Sequence, residues 1–238
     1  MLLEDIIQDI KRKKELKDLD NYFIKRRIEN YLKKYNLNLT EEDLKKKSSR
    51  YVKFFKDIRK ELRIVYGVFR NFKADRDLSI YEQIFSLIGN FNSLMDLGSG
   101  LNPLDYIKLN KKARYYCYDV NDKEIKIIKN HLKRNNIIGD AIIFDLVYDD
   151  ISKLPEVDIV FLLRVLESVE YYERDISFRI LKDLKCKIIV VSFAKNVLSS
   201  KGNIRKKGRS WFRRILERLN YEYKIYDIGN EIFFVIRK

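Results

Sequence analysis

Cysteine and proline are nearly missing from this chain of 238 residues, which has two of each and a single histidine. Two cysteines cannot build a disulfide framework or a zinc cluster. Both Cys117 and Cys186 sit inside apolar runs that read as buried strands, which suits a reducing compartment. So few prolines, beside 36% charged and 46% hydrophobic residues, do not describe a disordered tail. No apolar stretch approaches the roughly 20 residues that a membrane span needs. The N-terminus mixes acids and bases from Glu4 onward, unlike a signal peptide. These absences predict a cytoplasmic protein with no membrane partner and no metal site. The one histidine, His131, falls on a charged helix and reads as surface. What remains is enough for one large α/β domain with a smaller attachment.

The formal net charge is +15, and its distribution is uneven. Residues 1–90 carry 22 basic against 15 acidic side chains, and residues 91–194 carry 16 of each. The short segment 195–218 carries 9 against 1, and residues 219–238 carry 3 against 3. Two basic regions therefore flank a neutral middle, as clamps on a polyanion would. The competing explanation is a lysine-rich surface inherited from an AT-rich or heat-adapted genome.

Residues 1–90 read as an all-helical domain. Leu2, Leu3, Ile6, Ile7 and Ile10 recur at helical spacing, and Tyr22, Phe23, Ile24, Ile28, Tyr31 and Leu32 continue the pattern. Thr40 before Glu41, Glu42 and Asp43 predicts an N-cap and an acidic first turn. Val52, Phe55, Ile58, Leu62 and Tyr66 form the stripe of a longer helix. Ile80 to Ile88 makes another, closed by Gly89. From Asn92 the period changes. Ser93–Leu97, Ala113–Tyr118, Ala141–Phe144, Val157–Leu163 and Lys187–Phe193 suit buried parallel strands. Amphipathic helices such as Asp122–Asn135 and Glu173–Leu184 lie between them. Glu222–Ile228, a Gly229-Asn230 turn and Glu231–Ile236 predict an antiparallel hairpin. The expected fold is α/β: a mostly parallel seven-stranded sheet over 91–238, ending in that hairpin and preceded by helical residues 1–90. This is the ordering of class I, Rossmann-like S-adenosylmethionine methyltransferases.

Asp96-Leu97-Gly98-Ser99-Gly100-Leu101-Asn102-Pro103 follows the first strand, at the edge where open α/β sheets bind ligands. Gly98 and Gly100 allow a tight turn, and Pro103 suits a helix's first turn. About 20 residues on, Asp119 ends the second strand, where a carboxylate can accept the ribose hydroxyls of an adenosine cofactor. A dinucleotide would also be compatible, but Pro103 stands where that pattern wants a third glycine. The cofactor candidates are Asp96, Gly98, Ser99, Gly100, Asn102, Pro103, Asp119, Val120, Asp145 and Leu146. The last pair is placed to read an adenine edge. The alternative for Asp145 is a turn or helix cap.

The run Asp96 to Leu104 resembles the cofactor loop of the aminoglycoside-resistance 16S rRNA methyltransferases, the Arm and FmrO-like guanine-N7 enzymes. The likeness extends to Tyr118–Asn121, Phe161–Glu167, Val191–Phe193, Leu198-Ser199 and Gly229–Glu231. Upstream, Ile58–Leu62 with Tyr66-Gly67 is similar to the helical extension that those enzymes dock on the small ribosomal subunit. Residues 50–238 are covered. The chain departs from the family after Ser192-Phe193, where Lys201–Arg209 replaces a Gly-Met pair and a downstream Tyr. Ala74–Asp77 matches a His-Ser-Thr-like stretch only loosely. The resemblance implies S-adenosylmethionine as cofactor and 16S rRNA of the 30S subunit as partner. It also implies that Arg164 contacts the target guanine or a neighbouring phosphate. The alternative for Arg164 is a salt bridge with Glu167 or Glu170.

Phe161-Leu162-Leu163-Arg164 lacks the Pro-Pro-aromatic motif that exocyclic-amine methyltransferases place there. Neither cysteine is placed as the nucleophile of a pyrimidine-C5 enzyme. Guanine N7 needs only alignment and charge handling, because its lone pair is already nucleophilic. The predicted RNA-binding residues are Lys25, Arg26, Arg27, Lys45, Lys46 and Lys47 on the helices. With them go Lys195, Lys201, Arg205, Lys206, Lys207 and Arg209 in a basic loop that would cover bound RNA. Trp211 and Phe212 could stack a base, though a helix-core contact fits them better. The rival functions are methylation of another RNA such as tRNA, a non-catalytic ribosome-assembly protein that kept the fold, and a small-molecule methyltransferase. A monomer is the default.

Overall fold

The computed structural model describes residues 2–63, 76–195 and 209–238. Seven strands form one sheet in the order β3-β2-β1-β4-β5-β7-β6. They are β1 (Ser93–Leu97), β2 (Arg114–Asp119), β3 (Gly139–Ile143), β4 (Val157–Leu163), β5 (Cys186–Ala194), β6 (Glu222–Ile228) and β7 (Glu231–Arg237). The first five pair in parallel, whereas β7 is antiparallel to both β5 and β6. Strand order reverses between β1 and β4, which opens a crevice above their carboxyl ends.

Helices cover both faces. On one, α5 (Leu78–Ile88), the short α6 (Pro103–Tyr106) and α7 (Asp122–Arg134) bury Tyr81, Ile84, Tyr106, Ile125, Ile128 and Leu132 against the sheet. On the other, α8 (Leu166–Tyr172), α9 (Ile176–Asp183) and α10 (Ser210–Leu219) insert Leu166, Val169, Ile180, Leu181, Phe212 and Leu216. Phe212 is fully buried against Phe193 and Phe234, the core role the sequence favoured over base stacking. Each such side chain removed from water contributes roughly 1.5–3 kcal/mol.

A third core belongs to α1 (Leu2–Lys11), α2 (Asn21–Lys34), α3 (Glu41–Lys45) and α4 (Ser49–Leu62). Thr40 caps α3 as expected, in a capping box with Asp43. The buried stripe of α4 is Tyr51, Phe54, Ile58 and Leu62, not the expected Val52 and Phe55. Two adjacent aromatics made either register plausible. Tyr66 and Gly67 lie outside the described residues.

Two other elements differ from expectation. The third strand starts two residues earlier than expected, at Gly139, where only glycine fits, since a Cβ would stand 2.0 Å from the Tyr115 carbonyl oxygen. The expected helix Glu173–Leu184 begins only at Ile176. Glu170 breaks the continuity by accepting the N–H groups of Asp175 (2.6 Å) and Ser177 (3.1 Å).

The helical core is cross-linked to the sheet's carboxyl ends. Leu19 pairs with Asn121 in an isolated antiparallel bridge, and the Asp20 N–H donates to the Val120 carbonyl at 3.1 Å. Arg27, fully buried, holds Asp145 with two guanidinium nitrogens at 2.9 and 3.2 Å. Among the described residues no helix is long and apolar enough to cross a membrane.

Candidate active site at the carboxyl ends of the strands

The glycine loop leaves β1 through two left-handed residues, Gly98 (φ +74°) and Gly100 (φ +52°). A Cβ on Gly98 would meet Val165 Cγ2 at 2.5 Å, so both conformation and space require glycine there. The N–H groups of Gly98 and Ser99 donate to the Tyr118 carbonyl at 2.8 and 3.0 Å, tying the loop to the end of β2. Asn102 leads into Pro103, the first residue of α6.

Asp96 is wholly buried beneath this loop. Its Oδ2 accepts from the Tyr106 hydroxyl at 3.0 Å, while Oδ1 has no hydrogen-bond partner. Desolvation pushes its carboxyl up to about 7, against the opposing pull of the Tyr106 hydrogen bond and Arg76. Asp119 ends β2 with Oδ2 accepting from the Gly100 N–H and Oδ1 from the Asn121 N–H, both at 2.9 Å. An ionised carboxylate is an acceptor-only group, the kind that pairs with ribose hydroxyls. An orphaned acceptor, a loop open for backbone approach and an acceptor-only side chain fit an adenosine-bearing cationic cofactor.

On the same side, next to Asp119, Val120 packs on the helical core, and Leu146 is buried beside Asp145 after β3. The Asp145 carboxylate is occupied by Arg27 and by the Val147 N–H at 3.0 Å. The Asp145 carbonyl accepts from the N–H groups of Tyr148 and Asp149, so the residue shapes a turn.

Arg164 follows β4 in a left-handed conformation (φ +61°) that is uncommon for a residue with a side chain. Its guanidinium is mostly buried and pairs with Glu231 at 2.9 Å, a salt bridge other than the Glu167 or Glu170 pair weighed as the alternative to substrate contact. Glu231 is the hub of this end. Arg76 grips it with two nitrogens at 2.7 and 3.0 Å, and Ser192 donates a hydroxyl at 2.5 Å. Burial alone would raise the Glu231 carboxyl, but Arg76 and Arg164 outweigh it and hold the group below its usual range. Glu167 pairs with Arg209 at 2.8 Å, yet burial still raises its carboxyl. Three arginines against two glutamates leave this end positive.

The basic candidates divide. Arg27 and Arg209, expected to hold phosphate, are buried: the first on Asp145, the second on Glu167, the Ala194 carbonyl and the Phe193 ring. Arg26 is mostly buried and bonds Asp149 at 2.5 Å. Burial removes these guanidinia from the surface that RNA could reach. Lys195 pairs with Asp227. Lys45, Lys46 and Lys47 are exposed and Lys25 is half-buried, each beside an acidic partner: Glu41, Glu42 and Asp9 for the first three and Glu29 for Lys25. Lys201, Arg205, Lys206 and Lys207 lie outside the described residues. The sequence did not single out Tyr106, Arg76, Ser192 or Glu231 as site residues. Arg76 and Glu231 are 155 positions apart, and only an acid opening an otherwise apolar strand hinted at the pair.

The sequence and the fold are shared with known proteins. Two curated proteins, from Micromonospora echinospora and Micromonospora rosea, are each named 16S rRNA (guanine(1405)-N(7))-methyltransferase. Both are 28% identical to this chain over 66% of its length, and the chain spans 58% of theirs. The crystal structure of the 16S rRNA methyltransferase RmtF with S-adenosyl-L-homocysteine superposes with a TM-score of 0.75 at 15% identity. It covers 99% of this chain and 98% of that one. The 16S rRNA methylase ArmA gives 0.55 at 24% identity, covering 88% of this chain and 97% of its own. These likenesses establish the class I methyltransferase fold. A family model described as ribosomal RNA methyltransferase (FmrO) matches residues 70–231, more than half of the sequence, and the chain belongs to that family.

Proposed function

We propose that the chain is an S-adenosylmethionine-dependent methyltransferase acting on guanine N7 of small-subunit rRNA. The observation that carries this reading is the joint placement of the Gly98–Gly100 loop, Asp96 and Asp119 on one side of the β1/β4 crevice. Arg164 stands on the other side. The family and the names of the two Micromonospora relatives support it.

Asp96, Gly98, Ser99, Gly100, Asn102, Pro103 and Asp119 would hold the cofactor, with the loop after β3 closing the adenine side. When bound, the cofactor supplies an electrophilic methyl group on a sulfonium. The chain's own residues then have three tasks. The glycine loop lets backbone approach the cofactor closely. Arg164 addresses the guanine O6 edge or a flanking phosphate, its guanidinium oriented by Glu231. Arg76 and Ser192 fix Glu231, and through it the direction of the Arg164 guanidinium. No proton has to be removed from the base, so alignment is the main requirement. The substrate would be the assembled 30S subunit in the cytoplasm, met by a monomer.

The test is transfer of labelled methyl from S-adenosylmethionine to purified 30S subunits, naked 16S rRNA and tRNA, with the product base identified by mass spectrometry. Label at guanine N7 of 30S RNA is the expected result. Label only in tRNA would move the target. Cofactor binding with no transfer to any of the three would favour a ribosome-assembly role.

A further inference from the structure

Both loops on the adenosine side of the crevice are held by the helical segment, not by the sheet alone. The loop after β2 is fixed at Val120 and Asn121 by the bridge to Leu19 and the 3.1 Å bond from the Asp20 N–H. Leu19 is held in turn by the Lys11 ammonium on its carbonyl at 2.9 Å. The loop after β3 is gripped twice. Arg27 binds both oxygens of Asp145, and Arg26 binds Asp149, whose other oxygen accepts the Asp145 N–H at 2.7 Å. Arg27 is itself sandwiched by aromatic rings, Phe23 from its own helix and Tyr148 and Tyr172 from the sheet side, at 4.3–4.7 Å.

From this we propose that Arg27 and Arg26 are positioning residues for the cofactor. Helix α2 buttresses the loops that form the adenine wall of the crevice, and cofactor affinity therefore depends on the helical segment. The proposal rests on reading these loops as the cofactor site. The Asp145 carboxylate is taken by Arg27, so the loop serves through the backbone that this ion pair fixes. Binding free energy shared between two segments makes them thermodynamically linked, so whatever shifts α2 shifts cofactor affinity by the same factor as the reverse. A buried bidentate guanidinium suits this task, because its planar fork fixes orientation as well as distance.

The experiment uses the full chain and calorimetric titration with S-adenosylmethionine. Arg27→Met is expected to weaken cofactor binding about tenfold, and Arg27→Lys to recover part of the loss. Arg26→Gln alters a partly exposed pair and is the variant most certain to fold. It should weaken binding about threefold and be non-additive with Asp149→Asn in a double-mutant cycle. Cofactor KM should rise in step while kcat falls far less, which general loosening of the fold would not produce. In wild type, cofactor should also slow amide hydrogen exchange in residues 20–28, which do not line the crevice. If Arg26→Gln and a folded Arg27→Lys bind cofactor within twofold of wild type, the proposal is overturned while the site reading stands. If wild type itself binds no cofactor, the site reading fails, and this inference with it.

Discussion

Asp96 makes a pH-dependent stability that can be isolated. Its carboxyl titrates near 7 in the folded, cofactor-free chain because burial disfavours the anion, against a reference of 3.8. Between those values the folded state binds a proton that the unfolded state has released. Stability from this group is therefore complete below pH 4 and is lost as pH rises through 7. Integrating one group between these two pKa values gives a loss of roughly 2–3 kcal/mol from pH 5 to pH 8. For a chain of this length that corresponds to about 5–10 °C in Tm. Asp96→Asn keeps an acceptor for the Tyr106 hydroxyl but cannot ionise. Urea denaturation of both proteins without cofactor, at pH 5, 6, 7 and 8, gives the difference free of other titrations. Wild type should lose ground to the variant between pH 5 and 7, and the difference should level off toward pH 8. A difference that stays flat within 0.5 kcal/mol would refute the buried, poorly solvated carboxyl.

Gly98→Ala should abolish measurable cofactor binding and cost about 2 kcal/mol or more of stability. The new Cβ meets Val165 in a backbone region that disfavours side chains; normal binding by calorimetry would contradict the loop geometry. Arg76→Met leaves the buried Glu231 with one guanidinium instead of two. It should cost about 3–5 kcal/mol by chemical denaturation, and Glu231→Gln should relieve part of that loss.

The parallel strands were legible because each is an apolar run bounded by polar residues. The hairpin was legible because Gly229-Asn230 separates two such runs. The glycine loop and Asp119 could be placed because the strand ends fix where they fall. What the sequence could not reveal were partners chosen by tertiary contact. Lys25-Arg26-Arg27 looks like one basic cluster, yet the helix turns about 100° per residue. Lys25 therefore faces solvent while Arg27 enters the core and meets Asp145. Arg209 looked like part of a basic loop, and its partner Glu167 lies more than 40 positions earlier. Charge counts register sign but not burial, so they overstate the cationic surface wherever an arginine closes an internal ion pair.

The antiparallel placement of β7 has a consequence for how the protein is made. A parallel strand would bring its last residue to the crevice, but β7 brings its first, so Glu231 arrives there directly after a two-residue turn. Synthesis adds Glu231 long after Arg76 and Arg164. Until it is added, two guanidinia that the finished fold encloses have no carboxylate to share. The end of the crevice that would receive RNA is thus the last part to be completed.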